Sequence, residues 1–491
     1  MADRNRWPVL AIVSSALLLI VIDMTVLYTA LPTLTLALGA TANEKLWIVN
    51  AYPLIVAGLL PGLGTLGDKL GHRRMFLAGL VVFGAASLGA AFAPSPSMLI
   101  AWRVVLAVGA AMMMPATLSI IRLTFTDEKE RAFAIGVWAS VASGGAALGP
   151  VVGGLLLEYF WWGSVFLINV PVVLIAFVAG KLLLPARAGD PSRHWDLIAS
   201  VQVMIGLVGV VYAVKEASRQ SPSWAMVVAS GLIGTAALVL FVQRQRRSAT
   251  PLIDFSLFTN PRFSAGVATA MVASAVIVGV ELVFSQRLQL VLEYSPLQAG
   301  LLILPIPLAA FVAGPLAGLV LPYVAPSQIL SGTLILTALA LAAFLLVRDH
   351  EPTMWILPLA VMGFAIGAAM TAASSAIMLS APEERAGMAA SVEEVSYELG
   401  GALGIALLGS LISLLYTRAL VLPSQIEIAP QARDSLDEAL MLASRLPVDD
   451  AVEVSALARL AFDQAFTGVI VAAILCLAIV AAFVWHTRPR R

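Results

Sequence analysis

The chain has 491 residues, 60% hydrophobic and only 12% charged, with a formal net charge of zero and a mean hydropathy of +0.95. Soluble domains carry about a quarter of their residues as charges, so this balance excludes an ordinary soluble protein, and it offers no basic surface for nucleic acid. The single cysteine, Cys476, excludes a disulfide framework within the chain, and His72, His194, His350 and His486 fall at segment ends or in loops, away from any metal-site spacing.

A helix that crosses a bilayer needs roughly 20 mostly apolar residues. Dividing the chain at its charged, proline-rich and glycine-rich points predicts about fourteen such runs: 8–30, 46–66, 75–93, 98–121, 132–157, 163–185, 196–214, 223–242, 263–286, 297–320, 327–347, 354–379, 387–415 and 466–486. The first follows MADRNRWP and is too long for a signal-peptide core, so it reads as an uncleaved span. An even count puts both termini on one side. Lys69, Arg73, Arg74, Arg122, Lys129, Arg131, Arg187, Arg193, Arg244, Arg246, Arg247, Arg488, Arg490 and Arg491 share that side with Arg4 and Arg6. The excess of positive charge makes it the cytoplasm, and the expected location is a bacterial cytoplasmic membrane. The opposite loops hold little beyond Lys45, Lys215, Arg219, Arg348 and the charges of the last loop.

That last loop, residues 416–465, repeats Leu436, Ala439, Leu440 and Ala443 at helical spacing. Val452, Leu457, Leu460 and Ala461 follow after Pro447, predicting a small helical hairpin on the outer face. SGGAALG in the fifth run is echoed by LGGALG in the thirteenth, as two six-helix repeats would show. The predicted organisation is an N-terminal six-helix bundle over 1–187, two inserted transmembrane helices over 188–261, and a C-terminal six-helix bundle over 262–491 that includes the hairpin.

Four stretches point to a family. GTLGDKLGHRR (64–74) resembles the loop signature between spans 2 and 3 of the major facilitator superfamily, and GAALGPVVGG (145–154) the span-5 signature of its drug-proton antiporters. VIDMTVLYTALP (21–32) and WWGSVFLINVPV (161–172) resemble the span-1 signature and the opening of span 6 in the fourteen-helix drug:proton antiporter-2 branch. With VEEVSYELG, the chain is most similar to bacterial quaternary-ammonium, methyl viologen and acriflavine exporters. The resemblance implies an all-α major facilitator fold with two inserted helices, a monomer, and no cofactor beyond the proton gradient. It departs from the branch at Arg103-Val-Val-Leu-Ala, which lacks the usual Gln and Gly, and at Asn50, where many relatives carry Asp. LPYVAPSQ, after span 10, has no charge, so the loop signature occurs in one half only.

Gly64, Asp68, Gly71, Arg73 and Arg74 match the cytoplasmic-gate positions. The resemblance implies that Asp68 meets a helix N-terminus of the opposite half, as the helix dipole favours, and Pro326-Ser327 could open such a helix. Gly145, Gly149, Gly153 and Gly154 form a stripe without side chains that permits close backbone approach, while Pro150 removes one helix hydrogen bond. Either a flexing seam between the halves or simple helix packing would use them.

Asp23, Arg103, Glu281, Glu393, Glu394 and Glu398 lie inside predicted spans. At about 2.5 to 3.5 kcal/mol each, they would cost on the order of 15 to 20 kcal/mol if left unpaired in lipid. They must face water, pair or bind protons, and Arg103 is the only base among them. Glu394 and Glu398, four residues apart, share a helix face, while Glu393 points about 100° away from Glu394. Those two are assigned to a central cavity, Glu393 to its edge or a neighbouring helix. Asp23 is either a proton or cation carboxylate or a structural partner for Arg103, and Glu281 faces either the cavity or the interface. Tyr397, Trp138 and Met113 are candidate pocket-lining residues.

A carboxylate shared between a proton and a lipophilic cation couples their fluxes. The expected function is therefore export of lipophilic cations, such as quaternary ammonium compounds, cationic dyes and biguanide-type biocides, in exchange for protons. The alternative is export of another solute, an amino acid, siderophore or non-cationic antibiotic. Neither a catalytic constellation nor an ATP-binding P-loop is present, so an enzyme is not expected.

Overall fold

The computed structural model describes residues 6–40, 42–186, 189–190, 195–217, 222–248, 251–422, 426, 430–433 and 435–486. Arg4, Arg187, Arg193, His194, Arg219, Arg488, Arg490 and Arg491 lie outside the described residues, as do the side chains of Lys45 and Pro150. The described residues form α-helices with a few short 3-10 and π turns, and fourteen helical segments are long and apolar enough to cross a membrane. The chain is thus a multi-pass membrane protein.

The first half contains α1 (Arg6–Leu38), α2 (Ala42–Leu70), α3 (His72–Ala91), α4 (Pro96–Thr124), α5 (Glu128–Tyr159), α6 (Ser164–Leu167) and α7 (Asn169–Leu183). Two inserted helices follow, α8 (Leu197–Ala217) and α9 (Trp224–Arg247). The second half contains α10 (Pro261–Gln286), α11 (Pro296–Ile303), α12 (Pro305–Val320), α13 (Pro326–Val347), α14 (Ile356–Ser380), α15 (Ala386–Ala419), α16 (Leu436–Ala443) and α17 (Val448–His486). Helix starts follow local chemistry. Ser95 accepts from Met98 N with Pro96 in the first turn, Asp127 accepts from Glu130 N, and Ser295 and Gln298 form a reciprocal capping box.

Each half buries its own core. Leu17, Phe76, Phe83, Leu106 and Phe166 belong to one, and Phe284, Phe344, Met362, Phe466 and Ile470 to the other. They meet where Ile377, Met378 and Ala386 to Ala390 pack on the first half, at the end of the molecule bearing Lys69, Arg73, Arg74, Lys129 and Arg131. We call this the basic end. The inserted pair is closely crossed, with Gly209 against Gly234 and Gly206 against Leu238. α8 lies along α2 through Gly58 and Gly62, whereas α9 is mostly exposed and faces the lipid position.

The predicted outer hairpin is half present. α16 forms and buries Leu436, Ala439 and Ala443. The second arm is instead the start of α17, a continuous helix of 39 residues. At about 1.5 Å per residue it is about 58 Å long, roughly twice a hydrocarbon core, so its first turns stand clear of the membrane. Its buried face there is Val454, Ala458 and Ala461, while Val452 and Leu460, expected inside, are exposed.

At this opposite end, Arg287 opens the π turn Arg287–Val291 and is buried. Its Nε donates to Asp463 Oδ1 at 2.6 Å and Nη2 to Asp349 Oδ1 at 3.3 Å, tying α10 to α13 and α17. Arg348 faces the same two acids, Nε 3.3 Å from Asp349 Oδ2 and Nη2 3.4 Å from Asp463 Oδ2, so Arg287→Met would leave them one cation in place of two. It is expected to cost about 2 kcal/mol, read as a lower thermal midpoint of the purified protein in detergent.

Candidate functional site

Asp23 on α1 is buried and fully engaged. Its Oδ2 accepts from Arg103 Nη1 of α4 at 2.8 Å, and Oδ1 from Asn169 Nδ2 of α7 at 2.8 Å. Asn169 also reaches Ser87 Oγ of α3 at 3.2 Å. Arg103 donates through Nε to the Ile48 carbonyl of α2 at 3.3 Å and lies over the Tyr52 ring, 4.5 Å from its centroid. One carboxylate, one guanidinium and one amide therefore join five helices of the first half. Of the two sequence readings for Asp23, the geometry is that of Arg103's partner. Asn169 lies inside the WWGSVFLINVPV motif, so the sequence carried a signal for it but not its role.

The acids of α15 are differently placed. Glu393 is fully buried and turned toward α14. Its Oε1 accepts from Tyr397 Oη at 3.4 Å, the same hydroxyl reaching the Met370 carbonyl at 3.4 Å, and Ser374 of α14 also faces the carboxyl. Glu394 is also buried, and its Oε1 has no hydrogen-bond partner among the described residues. Glu398, one turn on, is half-buried on the same side. The helix positions them through its neighbours. Gly400 and Gly404 lie against the Met271 and Ala275 carbonyls of α10, Ser274 Oγ donates to the Tyr397 carbonyl at 2.7 Å, and Ser391 meets α2. Glu394 and Glu398 thus sit where α15 crosses from the second half toward the first. Glu281 on α10 is half-buried and has no ion-pair partner among the described residues.

At the basic end Asp68 caps a helix of the opposite half, but not the one opened by Pro326-Ser327. Its Oδ1 accepts from Gly387 N at 2.8 Å and Oδ2 from Met388 N at 3.2 Å, at the start of α15. α15 begins with free backbone N–H groups, and a carboxylate satisfies them and the dipole together. Pro326-Ser327 lies instead near Arg262, Leu330 and Ala376. A Cβ on Gly64 would strike Ser391 Oγ and the Gly387 carbonyl, so α2 and α15 touch backbone to backbone. Gly71 adopts φ 95°, which glycine alone tolerates easily, in the turn from α2 to α3. Arg73 Nη2 donates to the Lys181 carbonyl at 2.5 Å, His72 Nε2 lies 3.3 Å from Asp68 Oδ1, and Arg74 is exposed. Arg122 reaches across the halves to the Ala381 carbonyl, a contact that sequence reasoning missed because Arg122 counted only as a loop charge.

The glycine stripe is not the seam between the halves. Gly145 faces Val21 and Leu18, Gly149 faces Thr25, and Gly153 faces Val26 and Thr29, all on α1 of the same half. Gly154 is exposed with nothing near it, and Pro150 lies within α5. Gly400 and Gly404 repeat the arrangement in the second half, α15 on α10, which accounts for the sequence echo. The seam on α5 lies nearer the basic end, where Gly136 meets Gly314 and Ala132 and Phe133 meet Gly318 of α12. Met113 is buried against Gly79 of α3. Trp138 is core as well, its Nε1 donating to Thr117 Oγ1 at 3.1 Å. Tyr397 does stand beside the acids.

One base was misplaced from sequence. Lys215 belongs to the last turn of α8 rather than to an outer loop, half-buried, with Nζ donating to Asn50 Oδ1 of α2 at 3.1 Å. Arg103 is therefore not the only cation among the intramembrane charges.

The sequence matches the Major Facilitator Superfamily over residues 13–405. It is 41% identical over 462 residues to the methyl viologen resistance protein SmvA of Salmonella typhimurium, covering 93% of each chain. It is 37% identical over 478 residues to the multidrug efflux pump LfrA of Mycolicibacterium smegmatis, covering 96% of this chain and 95% of that one. In fold it is similar to the human organic anion transporter MFSD10, with a TM-score of 0.62 and 16% identity over 97% of this chain and 100% of the other.

Proposed function

The chain belongs to the major facilitator superfamily, and on that premise we propose that it exports lipophilic cations across a bacterial cytoplasmic membrane in exchange for protons. Relatives named for methyl viologen resistance and multidrug efflux support the class of substrate. The basic end is the cytoplasmic one, by the excess of Lys and Arg there. The observation that carries the reading is the pair Glu394 and Glu398 on one face of α15, with Glu394 Oε1 buried and without a hydrogen-bond partner among the described residues.

Asp23 is already satisfied by Arg103 and Asn169 and serves as the brace of the first half. The acids left over hold either a proton or a substrate cation, because an isolated carboxylate is costly away from water. The Asp68 cap and the glycine contacts seal the cytoplasmic end in this conformation, so the loaded site opens outward. There it releases its cation and takes up protons, and it returns to the cytoplasmic side once the Asp68 cap breaks. No cofactor enters this scheme; the proton gradient drives it.

The test is proton release in inverted vesicles containing the full chain. Adding a quaternary ammonium dye is expected to release protons from the protein, and an anionic dye of similar size is not. Release by anionic or neutral solutes alone would replace this reading with export of another solute.

A further inference from the structure

α8 is one of the two helices inserted between the halves, and its last turn brings a charge to the site. Val211, Tyr212 and Val214 of α8 pack with Leu54 of α2 and with Leu399 and Ala402 of α15. Lys215 and Glu398 are the polar neighbours of this apolar junction, one on each helix. α8 starts at the basic end, where Asp196 Oδ2 lies 2.6 Å from Arg244 Nε, so Lys215 sits toward the opposite, outer end.

An ammonium has three donors. Among the described residues Lys215 has one hydrogen-bond acceptor, the neutral Asn50 side chain. A half-buried ammonium held by one amide oxygen needs a counter-charge, and Glu398 is the acid with which it interacts electrostatically. The other charged and titratable groups near the pair are Glu394, one turn along α15, and Tyr52 of α2, behind which stand Asp23 and Arg103.

We propose that Lys215 is a tethered cation that competes with the substrate for Glu398 on the outward side, promoting release of the exported cation. The inserted helix thereby takes part in the transport cycle rather than only thickening the protein. A side chain fixed beside the site acts at a high effective concentration, so it displaces a bound cation without any ligand from outside. Between turnovers Asn50 parks the ammonium. The inference rests on the cation and proton reading of the α15 acids.

The experiment measures ethidium binding to the purified full chain, substrate-induced proton release, and efflux from cells, for five variants. Lys215→Gln keeps a hydrogen-bond donor for Asn50 but removes the charge. It is expected to bind ethidium about tenfold more tightly and to expel it more slowly, while Lys215→Arg behaves like the parent. In a Glu398→Gln background, Lys215→Gln is expected to leave affinity unchanged, which a purely structural role would not produce. Unchanged affinity on Lys215→Gln, or the same tightening with and without Glu398, overturns the proposal. If Glu398→Gln weakens binding and Lys215→Gln does not tighten it, Lys215 alone is wrong. If neither Glu394→Gln nor Glu398→Gln changes ethidium binding or proton release, the antiport reading falls and this inference with it.

Discussion

Glu394→Gln is expected to abolish efflux of cationic dyes and return cells to the sensitivity of a strain lacking the protein, with the folded protein present at its usual level. The amide has the shape of the carboxyl and can neither yield a proton nor carry the charge a cation needs, so both halves of the exchange stop at one atom. Folding is expected to survive because Glu394 Oε1 has no hydrogen-bond partner among the described residues to lose, and removing a buried charge relieves a desolvation cost. A loss of transport of at least about 100-fold fits the removal of a group needed at the chemical step of exchange, as for other positioned acids. Measured by dye efflux and by substrate-induced proton release, the two signals must vanish together. Efflux at the parent rate in Glu394→Gln would remove the carboxylate exchange from the mechanism.

The second large effect concerns closure. Gly64→Val is expected to lower transport by more than about tenfold while leaving cation binding in detergent intact, because the substitution lies at the seam and not at the acids. The Gly64 backbone lies so close to Ser391 Oγ and the Gly387 carbonyl that no Cβ fits, and Gly387 N is itself the donor to Asp68. A side chain at 64 therefore pushes α15 away and breaks the Asp68 cap, both in the same motion. The obstruction has a soft part and a hard part. Ser391 Oγ can be removed and the Gly387 carbonyl cannot, so Ser391→Ala is expected to restore part of the transport lost by Gly64→Ala and little of that lost by Gly64→Val. Parent-level efflux in Gly64→Val would show that the ends need not approach this closely during turnover.

Much of the architecture was legible because the membrane restricts what a chain can do. Backbone groups must bond within each span, so apolar length alone locates helices. The span pattern, the family signatures and the acidic face of the thirteenth run all followed from local pattern. The acids were detectable for the same reason, since a charge in an oily run is costly wherever the rest of the protein sits.

What a single run could not reveal was partnership. Asp23 and Glu394 are both carboxylates inside apolar helices, yet one is held by Arg103 and Asn169 and the other has an oxygen without a partner among the described residues. The helix that Asp68 caps, the face of the glycine stripe and the inward reach of Lys215 are likewise contacts between segments far apart in the chain. The sequence by itself determined the number of spans, the family and the excess of acid over base, because these are sums over local composition. Only the tertiary structure decided which acid is paired and which keeps an oxygen without a hydrogen-bond partner among the described residues. That depends on which neighbours desolvate and neutralise each carboxylate, and those neighbours come from other helices.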